Sequence, residues 1–546
     1  MGTHLNVRVR TTQYLLKTLK NRAFFVKKSH GIVVENCFSE QIVQQSNLRD
    51  QQNLIYMPTP TTILKNNSFL EPKETTTHLK VVRNDAQSQK VARSKFLESM
   101  SLNSLKRKDY LVVALTFSLM LTSVWFFVQF QPELEKLHFE RMNTWWGAAI
   151  NYVAVTLLVL QLAFLSYLII LYIKYKAVKP VADELLPTCT VIVPAYNEGK
   201  LVYETLLSLA DSDFPADKLQ IMSIDDGSKD DTWQWMLKAK AALGDRLTIY
   251  QQPKNMGKRH ALYRGFTEGT GQVFVTVDSD SVVKEDTLRN LVSPFAVNDK
   301  CGAVAGNVRV LNKENGLIPK MLNVSFVFSF EFVRSAQSAI GSVLCTPGAL
   351  AAYRRDAVMN CLEDWMNQTF MGQPSDIGED RAITNMILKQ GLHVLFQKNA
   401  YVYTNIPERY KSLYKMFVRW ERSNVRENIM MSKFAYSKFR TESTVGPRIL
   451  LTMQWVKVVM AFPLLLLLMF FVATHPILFV CSSLVGILIF SSIQMFFYAK
   501  KYNISEAFLA YTYSIFYMFT LFWITPYAIA TASRRGWLTR ELPVTA

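Results

Sequence analysis

Apolar and polar positions divide the chain into blocks of different rhythm. Residues 1–109 are polar, rich in Gln, Asn, Thr and Lys, with few periodic apolar stretches, which predicts a disordered basic tail. Residues 110–130 (YLVVALTFSLMLTSVWFFVQF) carry no charge and reach the roughly 20 residues that a bilayer-spanning helix needs. Residues 145–173 predict a second span, opened by Trp145 and Trp146 at interfacial level, so 110–176 reads as a two-helix membrane segment. From 180 to 410 the rhythm changes. TCTVIVPAYNE, LQIMSIDDGS, LTIYQQ and GQVFVTVDSD each predict a buried strand ending at polar residues, and helical stretches at 199–211 and 230–243 separate them. Such alternation predicts an α/β domain with a mainly parallel sheet, in which ligands bind beyond the carboxyl ends of the strands.

After 410 the chain turns basic and aromatic, and 411–448 predicts interfacial amphipathic helices. Residues 449–473 and 477–498 predict two further spans joined at His475–Pro476. The last apolar run, 507–532, contains Pro526 and precedes the basic end SRRGWLTR. KRK at 106–108 places the N-terminal side in the cytosol. Five crossings would then put the basic end outside, so four crossings are expected, with 507–532 lying in the interface or re-entering and a fifth span as the alternative. The 533–546 tail and the central domain both fall on the cytosolic side of a multi-pass protein of the plasma or inner membrane.

Charge and cysteines narrow the classes. The formal net charge is +18, and more than half of the excess lies ahead of the first span, which fits membrane topology and anionic lipid. No basic helix interleaved with aromatics, zinc-ligand spacing or RNA-binding signature is present, so nucleic acid is not the expected partner. Cys37, Cys189, Cys301, Cys345, Cys361 and Cys481 form no CxxC pair, which fits a reducing compartment rather than a disulfide framework. The first 34 residues hold Arg and Lys but no acid, faintly like a transit peptide, and lack the apolar core of a secretory signal. A transporter is disfavoured because neither an inverted repeat nor a charged intramembrane residue is evident.

The candidate chemistry sits at strand ends. Asp278 and Asp280 come after VFVTV two residues apart, and on a strand they would share a face. Held that close, two carboxylates need a cation or a proton. Alone, the pair could equally be a solvated acidic turn. Six further motifs accompany it: VPAYNE (193–198), DDGSKDDT (225–232), NMGKRHAL (255–262), GED-R (378–381), RW (419–420) and WLTR (537–540).

In this order the motifs resemble the membrane-embedded, inverting family-2 glycosyltransferases, specifically hyaluronan synthases and chitooligosaccharide synthases. The resemblance runs over roughly 110–540 and includes FEFVRSAQS and TPGALAAYRR (330–355), similar to the hyaluronan synthase acceptor region. It implies a GT-A-like, Rossmann-like cytosolic catalytic domain inserted between transmembrane helices. It implies Mg²⁺ or Mn²⁺ held by Asp280 with help from Asp278, and Lys258 and Arg259 at the donor diphosphate. Tyr196, Glu198, Asp225 and Asp226 would form the uridine pocket. Asp380 would be the general base, positioned and tuned by Glu379 and Arg381. GED then stands where the family has GDD or TED, and a plain helix N-cap is the bland alternative. Arg419 would pair with diphosphate and Trp420 stack on an acceptor sugar, with Met416 where the family carries Gln. Trp537, Thr539 and Arg540 would close over nucleotide, with Leu538 in place of Gly. Cys345, Gly348 and Tyr353 would line the acceptor pocket.

The resemblance thus implies a processive β-glycosyltransferase in a lipid membrane. It would bind UDP-N-acetylglucosamine, alone or alternating with UDP-glucuronate, and extend and export a growing glycan acceptor. A chitooligosaccharide or poly-N-acetylglucosamine synthase and a non-processive lipid glycosyltransferase are the alternatives.

Overall fold

The computed structural model describes residues 105–534. The expectations for the tail ahead of 105 and for Trp537, Thr539 and Arg540 fall outside the described residues. Helix α1 (Arg107–Gln129) begins where the Asp109 carboxylate accepts the Lys106 backbone N–H at 2.8 Å. Helix α2 (Trp145–Lys174) begins where the Thr144 hydroxyl accepts from the Gly147 N–H at 3.2 Å. Both are long and apolar enough to cross a membrane.

The chain then alternates as its rhythm predicts. Strand β1 (Cys189–Ala195) leads to α3 (Lys200–Ala210), β2 (Leu219–Asp225) to α4 (Thr232–Leu243), and β3 (Leu247–Gln251) to α5 (Lys258–Glu268). Next come β4 (Val273–Val277), β5 (Ser281–Val283), α6 (Thr287–Val297), β6 (Cys301–Val310) and α7 (Leu317–Val327). The domain closes with β7 (Leu350–Arg354), α8 (Glu379–Lys389) and β8 (His393–Thr404). These eight strands form one sheet in the order β3-β2-β1-β4-β7-β6-β8-β5. Strands β3, β2, β1 and β4 run parallel, whereas β7 is antiparallel to both of its neighbours. The sheet is therefore mixed, in a GT-A-like, Rossmann-like arrangement.

Side chains of β1 alternate between two cores, as a pleated strand covered on both faces requires. Val191 and Val193 pack with Leu206, Leu209 and Met236 of α3 and α4, and Ile192 packs with Ala261, Phe266 and Ile383 of α5 and α8. Helix α5 comes so close to β1 that a Cβ on Gly265 would overlap the Ile192 side chain. Register then aligns the strand ends: Ala195 pairs with Asp225, and Asp225 with Gln251. Val277 pairs with Leu350 in the opposite sense, so the start of β7 lies beside the end of β4.

Beyond the domain, α9 (Tyr410–Ala435) is amphipathic, and α10 (Val445–Thr474) and α11 (Pro476–Ala499) are again long and apolar enough to cross a membrane. The last apolar run is a helix pair, Ile504–Thr520 and Ile524–Ala530, bent by 47°. The break lies ahead of Pro526, which sits in the first turn of the second helix, where its missing N–H leaves no bond unmade. One expectation is corrected here. Lys457 lies inside α10, beyond Arg448 in its first turn, so these helices do carry a charge; one lysine between Arg448 and the helix end does not disturb an apolar run.

A buried ion pair ties the first apolar helix to the catalytic domain. Lys320 of α7 donates to Asp109 at 2.5 Å, and the two residues are 3% and 2% exposed. Lys320→Met alone leaves that carboxylate buried without its cation and should cost about 3–5 kcal/mol. Asp109→Asn with Lys320→Met should recover most of the loss. Thermal unfolding of the detergent-solubilised protein checks both.

Candidate active site

The parallel register delivers three polar turns to one edge of the sheet. After β1, Asn197 adopts a positive φ of 52°, which turns its backbone N–H onto the Ser228 hydroxyl at 2.9 Å. Its side chain accepts from the Lys229 N–H at 2.8 Å, and the Glu198 N–H reaches the Thr232 hydroxyl at 2.8 Å. The Glu198 carboxylate accepts from the Ser279 hydroxyl at 3.1 Å, which joins the YNE turn to DSD. Tyr196 sits in the same turn, half-buried.

Asp225 and Asp226 are buried and engaged in holding loops. Asp225 accepts the Ser228 N–H at 3.0 Å and the Gln251 amide at 3.0 Å. Asp226 accepts the Met256 and Gly257 N–H groups at 3.0 and 2.7 Å, which fixes the entry to α5. Because their oxygens already carry protein hydrogen bonds, these two acids brace the polar turns of this edge.

Asp278 and Asp280 do not lie on a strand. Strand β4 ends at Val277, and both acids lie in a turn closed by the Ser281 N–H on the Asp278 carbonyl at 3.1 Å. The carboxylates engage different neighbours. Asp278 takes the Lys258 ammonium at 2.5 Å, and Asp280 accepts from the Thr404 and Ser281 hydroxyls at 3.3 and 3.4 Å. Among the described residues no three His, Cys, Asp or Glu side chains converge as a metal cage. Two carboxylates nevertheless suit a hard cation that completes its shell with phosphate oxygens and water.

Lys258 is the hub. Its ammonium also lies 3.4 Å from Glu379 of α8. Burial works against its charge, but Asp278 and Glu379 outweigh that cost and raise its pKa above the ordinary lysine value. Gly348, just before β7, makes room: a Cβ there would stand 2.7 Å from the ammonium nitrogen. Lys258, Gly348, Tyr353, Glu379 and Asp380 line one small pocket.

Arg259, adjacent in sequence, does not join them. It is buried, donates to the Trp365 carbonyl and the Gln368 amide oxygen, and stacks on the Trp365 ring at 5.0 Å. One residue further round a helix is about 100° of rotation, which carries Arg259 into the core beneath Trp365. Gln368 in turn donates to Glu427 of α9 at 2.8 Å, and Asn385 of α8 donates to the same carboxylate at 2.8 Å. This buried amide–carboxylate network was missed by sequence reasoning, since no local pattern links positions so far apart.

Asp380 lies in the first turn of α8, and Gly378, with φ of 82°, precedes the helix. A Cβ on Gly378 would collide with Ser423 of α9, which explains the glycine of GED. The helix begins at Glu379, so Asp380 is not its N-cap. Burial first, then the neighbouring Glu379 charge, raises the Asp380 carboxyl above its ordinary value, while Lys258 and Arg419 oppose them. Cys345 places its thiol 3.7 Å from Asp380, and burial beside that carboxylate pushes the thiol up to about 12.

Arg381 holds Asp380 through its backbone. Its backbone N–H donates to Asp380 at 2.8 Å, whereas its guanidinium bonds Asn424 and Asn428 of α9 at 2.9 and 2.7 Å. Tyr353 is buried, with its hydroxyl on Thr346 at 2.9 Å, so it packs the pocket floor. Trp420 is 39% exposed and packs edge-on to Phe417, with the ring centroids 5.6 Å apart. Arg422 and Arg426 of α9 bond the Thr531 hydroxyl and the Ala532 and Arg534 carbonyls, ahead of WLTR.

Residues 187–423 match the family model described as glycosyltransferase like family 2. An N-acetylglucosaminyltransferase of Rhizobium meliloti (strain 1021) is 32% identical over 255 residues, 46% of this chain and 59% of that protein. A hyaluronan synthase of Streptococcus pyogenes is 32% identical over 44% of this chain and 58% of that protein. The chain thus spans under two thirds of the length of these two relatives. A solved mannosyltransferase from Pyrobaculum calidifontis, in complex with GDP-Man and Mn²⁺, superposes with a TM-score of 0.45 at 21% identity, over 69% of this chain and 96% of that one. An N-acetylglucosaminyltransferase of Azorhizobium caulinodans is 30% identical across 48% of this chain and 68% of its own length. At that identity over that much of a relative, and with the matching family model, the chain belongs to glycosyltransferase family 2.

Proposed function

We propose that the protein is a processive, inverting β-glycosyltransferase of the membrane that transfers N-acetylglucosamine from its UDP donor to a growing glycan. The observation that carries the reading is the Lys258 ammonium, which joins Asp278 of DSD to Glu379 beside Asp380. Donor-side and acceptor-side motifs thereby adjoin at one buried cation. Relatives named for N-acetylglucosamine transfer and for hyaluronan synthesis support that donor. The four long apolar helices support a multi-pass enzyme, and the basic run at 106–108 favours a cytosolic side for its catalytic domain.

In this mechanism Asp380 accepts the proton of the acceptor hydroxyl as its oxygen attacks the anomeric carbon. The bond from that carbon to the donor diphosphate breaks on the opposite face, and UDP departs. Tyr196 and Glu198 would receive the uridine between turns braced by Asp225 and Asp226. Lys258, beside Asp278 of DSD, would offset charge developing on the diphosphate. Asp280, with Asp278, would hold Mg²⁺ or Mn²⁺, which when bound neutralises the diphosphate. Arg419 contributes positive charge toward Asp380, and Trp420 offers an exposed ring to an acceptor sugar. UDP-glucuronate as a second, alternating donor would make the product hyaluronan, and its exclusion would make it a chitin-like chain.

Purified protein with Mg²⁺ or Mn²⁺ and radiolabelled UDP-N-acetylglucosamine, with and without UDP-glucuronate, tests the reading by product size. Long polymer that requires both donors is the expected outcome, and product from the single donor would assign the chitin-like alternative. Asp380→Asn should lower kcat by about 10²–10⁴-fold while UDP binding persists, as calorimetry would register. Turnover of that variant at the wild-type rate would remove Asp380 as base.

The pH profile gives a second test. Asp380 must be ionised to act, and burial with Glu379 raises its pKa, so kcat should fall with acidification at a higher pH than the ordinary aspartate value of about 3.9. Glu379→Gln removes the like charge and should move that acid limb to lower pH. An unmoved limb would mean that another group titrates.

A further inference from the structure

We propose that Lys457, inside apolar helix α10, is a positioning residue for the active-site helix α8; this rests on the reading of Asp380 as general base. Lysine within an apolar span is costly and calls for a named partner. Lys457 lies about 18 Å along α10 from its first residue, and it is the sole charged side chain between Arg448 and the helix end. Its ammonium meets Glu421 of α9 at 2.7 Å.

Glu421 is the first link of a continuous chain. Its other oxygen accepts from the Asn424 amide at 3.1 Å. The Asn424 carbonyl oxygen accepts from the Arg381 guanidinium at 2.9 Å, and Asn428 takes a second arm of the same guanidinium at 2.7 Å. Arg381 is the residue after Asp380, and its backbone N–H holds the Asp380 carboxylate. Three helices are thus joined by four side chains, from the apolar helix to the proposed base. Glu421 also accepts from Thr525 at 3.2 Å, which brings in the second arm of the bent helix pair.

The chain of bonds has a direction imposed by donors and acceptors. Glu421 can only accept while ionised, so it orients the Asn424 amide with its N–H toward α10 and its oxygen toward α8. That oxygen is the acceptor Arg381 requires. Without the ammonium, Glu421 loses the charge that stabilises its ionised form in this buried setting. A protonated Glu421 would become a donor and favour the flipped Asn424, which then presents N–H groups to the guanidinium. Trp420 adjoins Glu421 in sequence, so the same pair also fixes α9 where the acceptor is expected to stack.

The test uses the full-length detergent-solubilised protein and the two-donor polymer assay. Lys457→Gln and Glu421→Gln should each lower kcat by about a hundredfold, as loss of alignment does, with KM for UDP-N-acetylglucosamine unchanged. The double variant should be no slower than either single one, because both break one chain of bonds. Lys457→Arg, which keeps the charge, should restore most of kcat. Wild-type kcat in Lys457→Gln, or losses that simply multiply in the double variant, overturns the inference. Should Lys457→Gln fail to give a monodisperse protein, Glu421→Gln and Lys457→Arg decide it by the same criteria. Equal product from wild type and Asp380→Asn would overturn the proposed base, and this inference with it, whereas an inactive Asp380→Asn beside an unaffected Lys457→Gln overturns only the inference.

Discussion

The site depends on one buried ammonium. Three acids from two distant segments, Asp278, Glu379 and Asp380, gather around it, and like charges brought together repel. Lys258 reconciles them by meeting Asp278 and Glu379 directly and opposing the raised pKa of Asp380. Its own position is constrained from three sides: Asp226 fixes the loop into α5, Gly265 lets α5 lie on β1, and Gly348 leaves room for the ammonium. A side chain at either glycine would displace the cation before it touched an acid.

The sheet explains why such distant residues meet. Parallel pairing of β1, β2 and β3 carries the YNE and DDG turns to the same edge as DSD. The reversal at β7 then returns the chain so that Gly348 stands beside Asp278 rather than at the far end of the sheet. A wholly parallel sheet would have put the start of β7 at the opposite edge. The mixed topology therefore serves the site as well as the core.

Strands and helices of the catalytic domain were legible because alternation and apolar runs are local signals. VFVTV reads as a buried strand and is one. The setting of the two acids beyond it was not legible: the strand stops one residue before Asp278, and a turn replaces the pleat that was to align them. Arg259 shows the same limit. GKRH names two cations, but only helical phase decides that Lys258 faces the acids while Arg259 lies under Trp365. The bonds of Asn424, Glu427 and Gln368 were not legible, because their partners lie on other elements. Lys457 was hidden for a different reason: an apolar window averages a single charge away, although that charge is the informative residue.

Helix α9 is where the catalytic domain and the apolar helices meet, and its periodicity shows how. Glu421, Asn424 and Asn428 recur at helical spacing and serve α10 and α8, while Arg422 and Arg426 recur at the same spacing and grip the backbone after the bent pair. Arg419 and Trp420 lie just ahead of them on the same helix. A helix that was only an amphipathic float would need apolar residues inward and any charges outward. Here arginine, glutamate and asparagine are buried on α9, and their bonds run to α8, to α10 and to the backbone beyond the bent pair. Burying so many polar groups is tolerable only where partners satisfy them, and those partners come from both the catalytic domain and the apolar helices. The segment that joins the two regions in sequence is therefore also one through which they constrain each other in space, beside the Lys320–Asp109 pair.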